Sequence, residues 1–145
     1  MDVRVWGLVD DRLIELRVES LAGEAGVRIL GLSDKRARTA GDRVRAALVN
    51  SGLMQEAPLL TIRLEPPVFV GTTSDLDLAL ALAALAGAGV LEPGLRWVLA
   101  SGRLGLDGTV HARELAERTS LADVVASLCH TPVVGFEHMF EQEQR

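Results

Sequence analysis

The stretch Gly71–Gly89, GTTSDLDLALALAALAGAG, constrains the fold more than any other part of the chain. It opens with three hydroxyl residues and an acid and then runs into a long apolar helix. The apolar part, Leu76–Val90, is broken by Asp77 and holds several small residues; at about fifteen residues it is too short to cross a bilayer. It therefore belongs to a globular core, and 145 residues are enough to bury one such core in a single domain. Hydrophobic residues make up 48% of the chain and charged residues 24%, a composition that excludes a disordered protein. Tyr is absent and aromatics reach only 3%, so Leu, Ala and Val must fill the core and base-stacking platforms are poorly supplied. The net charge of −5 disfavours phosphate-backbone binding by the protein as a whole, although a local basic patch remains open. A single cysteine, Cys129, excludes an internal disulfide and a multi-cysteine metal site. The N-terminus, MDVRVWGLVDD, lacks the positive start and apolar run of a signal peptide, so a soluble cytoplasmic domain without membrane contact is expected.

Val3–Val9 and Arg12–Leu21 alternate apolar and polar residues about an Asp10-Asp11 turn and read as an antiparallel hairpin. Gly26–Leu32 reads as a third strand, and Ser33 as the N-cap of a helix reaching about Asn50, with Gly41 a weak point inside it. Leu59–Leu64 is a strand ended by Pro66-Pro67, and the apolar helix follows from about Ser74 to Ala88, with Thr72 and Asp75 spaced as a capping box. Arg96–Ser101 is a strand, and Leu106-Asp107-Gly108-Thr109 a tight turn towards Val110 and His111. Two short helices are expected at about 113–118 and 120–128, the second opened by a Ser120/Asp123 capping box, and a last strand at 132–134. Strands and helices mix without strict alternation, so the class is α+β with a mixed sheet. Residues 1–136 form one domain and 137–145 an acidic C-terminal tail.

Chemistry could reside in three places. Lys35, Arg36, Arg38, Arg43 and Arg45 lie on the first helix and could meet nucleic acid or an acidic partner, or simply form a solvated face opposite Ala37, Val44, Ala47 and Leu48. The histidines His111, His130 and His138 have no metal-ligand spacing, and Cys129-His130 are adjacent and so diverge on a helix. No phosphate-binding glycine loop occurs, so neither a nucleotide nor any other cofactor is expected. At the start of the apolar helix Thr73 or Ser74 could serve as a nucleophile beside the helix-terminal amides, with His111 as a base. Lys35 is the single lysine and sits on the first helix, so Thr72–Asp75 reads first as a cap for orphan amides.

Four blocks in this order carry a family resemblance: GLSDKRARTAGDRVRAALVNSG (Gly31–Gly52), LLTIRLEP (Leu59–Pro66), GTTSDLDLALALAAL (Gly71–Leu85) and ASGRLGLDGTV (Ala100–Val110). Over about Val3–Val110 the chain resembles the N-terminal domain of magnesium-chelatase-related, competence-protein ComM-type ATPases. The resemblance implies a fold like the Lon proteolytic domain, within the superfamily of the second domain of ribosomal small-subunit protein five. It also implies a neighbouring AAA+ ATPase module and DNA-processing or ATP-dependent protease activity in the family. No such module lies within these residues, so a free-standing domain is expected. By the same resemblance the Lon-type nucleophile falls at Thr73, with Ser74 one place off, and the Lon-type lysine at about Glu117. An acid there cannot act as the amine base. The family's NLAP is here LEPP (Leu64–Pro67), and its ESR is TAGDR (Thr39–Arg43).

The sequence therefore favours a non-catalytic domain that assembles with itself or with a protein partner, an ATPase or DNA-processing protein among them. Two alternatives stand beside it: a Ser/Thr hydrolase using Thr73 or Ser74 with His111, and a nucleic-acid-binding module using the basic helix from Lys35 to Arg45.

Overall fold

A computed structural model of the chain describes residues 4–10, 12–21, 26–53, 59–69, 71, 73–89, 97–111 and 119–120. Strand β1 (Arg4–Val9) pairs antiparallel with β2 (Arg12–Leu21), with Val5 opposite Leu16 and Gly7 opposite Ile14. Asp10 turns the chain at φ 49°, a left-handed conformation that Asp tolerates better than most residues. Period-2 alternation does what the sequence predicts: Val5 and Val9 on β1, and Ile14 and Leu16 on β2, are all buried.

Strand β3 (Gly26–Leu30) leads through helix α1 (Asp34–Asn50) to β4 (Leu59–Glu65), and β3 and β4 pair in parallel. Strand β4 also pairs antiparallel with β2, and β5 (Trp97–Leu99) lies parallel to β1 on the far edge. The five-stranded sheet thus runs β3-β4-β2-β1-β5, a mixed sheet in an α+β domain. A second, three-stranded sheet joins β6 (Arg103–Leu104), β7 (Thr109–His111) and β8 (Thr119–Ser120), all antiparallel. The hairpin of β6 and β7 turns at 105–108, where Gly108 adopts φ 88° and Asp107 Oδ1 accepts the Thr109 amide at 2.9 Å.

Helix α1 starts as expected, with Ser33 Oγ accepting the Arg36 amide. Its stripe Val44, Ala47 and Leu48 is buried. Gly41 belongs to the same face, and a Cβ there would lie 2.8 Å from the Val27 carbonyl oxygen. The apparent weak point is a close-approach residue that lets α1 lie down on β3.

Helix α2 (Asp77–Gly87) is preceded by a single 3-10 turn, Ser74–Leu76. Every residue from Asp77 to Leu85 is buried. A helix that is apolar on all sides can be stable only inside a core. It packs on β2, β1 and β4 with α1 beside it, and Gly7 of β1 makes room, since a Cβ there would sit 2.6 Å from a Leu76 methyl.

Two expectations change at this helix and beyond it. Helix α2 begins at Asp77, three residues later than expected, and its N-cap is Leu76, with no side-chain cap bond. The amide of Leu78 is met instead by the Gly102 carbonyl at 3.0 Å, from a distant part of the chain. Thr72, the other half of the expected capping box, lies outside the described residues. Thr119-Ser120 form strand β8, which the sequence does not announce. The helices expected at 113–118 and 120–128, the strand at 132–134 and the tail from 137 lie outside the described residues, as do Cys129, His130 and His138.

Candidate functional site

The start of α2 is a junction of three elements. Gly102 receives and gives a backbone bond there: its carbonyl accepts from Leu78, and its amide donates to the Asp75 carbonyl at 2.9 Å. Two residues further on, in β6, the Leu104 amide donates to Asp77 Oδ2 at 3.2 Å. The same carboxylate oxygen accepts Arg43 Nη1 of α1 at 2.8 Å. Asp77 is therefore the point at which α1, α2 and the β6–β7 hairpin are tied together. Its side chain is 3% exposed, against 32% for that of Arg43, so the pair is anchored in the core and opens to water only at the guanidinium end.

Burial pushes the Asp77 carboxyl above the ordinary Asp range. The Arg43 hydrogen bond, the Leu104 amide and the Arg43 charge pull it back, while nearby Asp75 adds a smaller upward push. Asp75 itself leans outward, with Arg103 Nε 3.5 Å from its Oδ1. Further contacts fix the surroundings. Arg36 Nη1 donates to the Gly71 carbonyl at 2.8 Å, holding the loop before the 3-10 turn against α1. At the other end of α1, Asn50 Nδ2 donates to the Leu106 carbonyl at 2.7 Å and holds the hairpin tip.

Between α1 and the helix start lies an open cleft of about 340 Å³. Lys35, Arg36, Thr39 and Arg43 form its α1 wall, Thr73 and Asp77 face them, and Leu32 and Ala40 supply apolar surface. Two regions that the sequence offers as separate candidates are thus one place: the basic helix and the hydroxyl-rich helix start share this cleft. The basic helix is also divided. Lys35, Arg36 and Arg43 line the cleft, whereas Arg38 and Arg45 are exposed outside its lining, on the opposite arc expected from the 3.6-residue period.

Of the proposed nucleophiles, Thr73 lines the cleft, while Ser74 lies in the 3-10 turn. His111 lies in β7, paired across the hairpin with Arg103. The side chains of Ser74 and His111, and the whole of Glu117, lie outside the described residues. Among the described residues no His, Cys, Asp and Glu cluster could hold a metal ion, and no helix is long and apolar enough to cross a membrane.

Asp77 and Thr39 belong to the cleft and are absent from the candidates read from sequence. A signal for Asp77 existed. An acid inside an otherwise apolar helix must find a cation and an amide when that helix is buried, and the arginines of α1 were the available cations. Thr39 could have been found by stepping four residues from Lys35 and from Arg43 along one helix edge.

Residues 14–129 match the family model described as subunit ChlI of Mg-chelatase. Proteins of Mycobacterium tuberculosis and Mycobacterium bovis, both described as uncharacterised, are 37% identical over 110 residues, which is 74% of this chain and 22% of theirs. The competence protein ComM of Haemophilus influenzae is 31% identical over 80 residues, 55% of this chain and 16% of its own. The chain thus spans about a fifth of the length of these relatives. With the match covering most of its length, the chain belongs to the ChlI family, that of the Mg-chelatase subunit.

Proposed function

We propose that this domain is a non-catalytic, Lon-like member of the ChlI family that assembles with itself or with a protein partner, an ATPase or DNA-processing protein being the kind of partner the family suggests. One observation carries the reading: the acid at the helix start is committed to structure. Asp77 takes bonds from Arg43 and from the Leu104 amide through one oxygen, so it is a strut between three elements and not a free base. Arg36 gives one guanidinium nitrogen, Nη1, to the Gly71 carbonyl. The family description supports the assembly half of the proposal, because a subunit works within a larger complex.

The test joins sedimentation velocity of the purified chain to affinity capture from cells that express it. Self-association, or recovery of a stoichiometric partner lost on mild salt or on cleft substitution, supports the reading. A strict monomer that captures no partner overturns it.

A hydrolase is the second reading, and one observation favours it: Lys35 and Thr73 line the same cleft. A hydroxyl nucleophile needs a base oriented onto it, and among the described residues no hydrogen bond joins these two side chains. Labelling by a fluorophosphonate probe that disappears in Thr73→Ala would establish the hydrolase. Absence of labelling, with no cleavage of an unfolded protein substrate, fits the assembly domain.

A further inference from the structure

We infer that the α1–α2 cleft is a docking site for an acidic peptide segment, with Lys35 and Arg36 meeting carboxylates and Thr39 and Thr73 donating hydroxyl hydrogen bonds. This inference rests on the assembly reading and supplies its contact. The cleft gathers three cations, Lys35, Arg36 and Arg43, against the single carboxylate of Asp77, a formal excess of two positive charges. That excess is local, on a chain whose formal net charge is −5. Among the described residues Lys35 has no ion-pair partner, and its side chain stands exposed on the cleft wall. A fixed, desolvated frame behind it lowers the cost of binding, because α1, the helix start and the hairpin are already locked together.

The choice of peptide carboxylates follows from the same residues. Asp77 lies in the lining, so a multiply charged phosphate group would meet a buried carboxylate as well as the cations. A singly charged carboxylate incurs less of that repulsion, and its two oxygens suit a guanidinium beside a hydroxyl. A nucleic acid would need a basic track along the helix, yet Arg38 and Arg45 point away from this cleft. The cleft's volume of about 340 Å³ suits a few side chains of a peptide and not a large folded surface.

Fluorescence anisotropy with a fluorescein-labelled hexaglutamate peptide tests the inference on the full chain. Reversing one charge in contact with the ligand, Lys35→Glu, should weaken binding by about tenfold or more, and Thr39→Glu, a second exposed cleft position, by roughly fivefold. Arg38→Glu and Arg45→Glu change the net charge as much as Lys35→Glu but lie off the cleft, and screening should hold their effect below about twofold. Equal losses in all four variants would show general charge attraction and overturn the site. So would the absence of peptide binding, or saturation by inorganic phosphate or an oligothymidylate that hexaglutamate fails to displace. Sedimentation of the same samples separates the two claims. Assembly that persists in Lys35→Glu, with hexaglutamate never bound, removes this inference and leaves the assembly reading standing. Loss of both together supports them jointly.

Discussion

Replacing Arg43 by Met tests the central strut of the domain. Met keeps much of the apolar stem and removes the guanidinium from Asp77, whose side chain is 3% exposed. Removing one partner of a fully buried ion pair costs about 3–5 kcal/mol, because a charge is left without compensation. Here the Leu104 amide still bonds Asp77 and the Arg43 end is partly open to water. The expected loss is therefore about 2 kcal/mol near pH 7. That is a large share of the stability of a domain this size, which is on the order of 5–15 kcal/mol. The pH dependence has a definite sign. Burial already holds the folded Asp77 pKa above its ordinary value of 3.8, and Arg43 supplies two of the three influences that pull it down. Without Arg43 the folded pKa rises further. An acid with a raised folded pKa favours the folded state below its unfolded pKa and loses that contribution as pH rises through the folded value. The deficit of Arg43→Met should therefore be full at neutral pH and shrink as pH falls through the variant's folded Asp77 pKa. Urea denaturation followed by circular dichroism at about pH 7 and about pH 5 reads both quantities. Combining Arg43→Met with Asp77→Leu should recover part of the loss, since an apolar pair of similar volume often replaces a buried ion pair at little cost. A loss under about 0.5 kcal/mol at neutral pH would refute the strut.

Three further outcomes follow from particular contacts. Gly41→Ala places a Cβ 2.8 Å from the Val27 carbonyl oxygen, and the strain should outweigh the helical gain of about 1 kcal/mol, leaving a net loss of roughly 1–2 kcal/mol in thermal or urea unfolding. Asn50→Ala removes the bond to the Leu106 carbonyl; about 0.5–1 kcal/mol of global stability should be lost, with hydrogen exchange at the Gly105 and Thr109 amides accelerating more than elsewhere. Leu82→Ala, at a fully buried position of α2, should cost about 2–5 kcal/mol, and a milder loss in urea unfolding would mean that the core around α2 collapses to fill the space.

What could be read in the sequence was the part that depends on neighbours along the chain. The Asp10 turn, the alternation of β1 and β2, the Ser33 cap and the end of β4 before Pro66 are local signals, and they stand where the sequence places them. What failed was decided by distant partners. Helix α2 starts at Asp77 and not at Ser74, and its Leu78 amide is taken by Gly102, which no local pattern could indicate. Strand β8 is two residues long, and it exists because β7 offers an edge for it to pair with. The cleft lay in between. The helical period separates Arg38 and Arg45 from Lys35, Arg36 and Arg43, but only the packing of α1 beside α2 brings the second set to Thr73.

The burial of α2 explains why its polar start binds structure first. A helix with a solvated edge can let water satisfy its terminal amides and any acid near them. Helix α2 has no such edge between Asp77 and Leu85, so each polar group there had to be met by protein. The Gly102 carbonyl, the Leu104 amide and Arg43 do this, and each comes from a different part of the chain. The cost of burying a carboxylate in the helix is thus converted into a fixed angle between α1 and the hairpin. A hydrolase would need one of these groups free to move a proton at Thr73, whereas a docking cleft needs the frame to hold still. The strut serves the second requirement and removes Asp77 from the first, which is why the exposed Lys35, and not the buried acid, is the residue on which the two readings of this site divide.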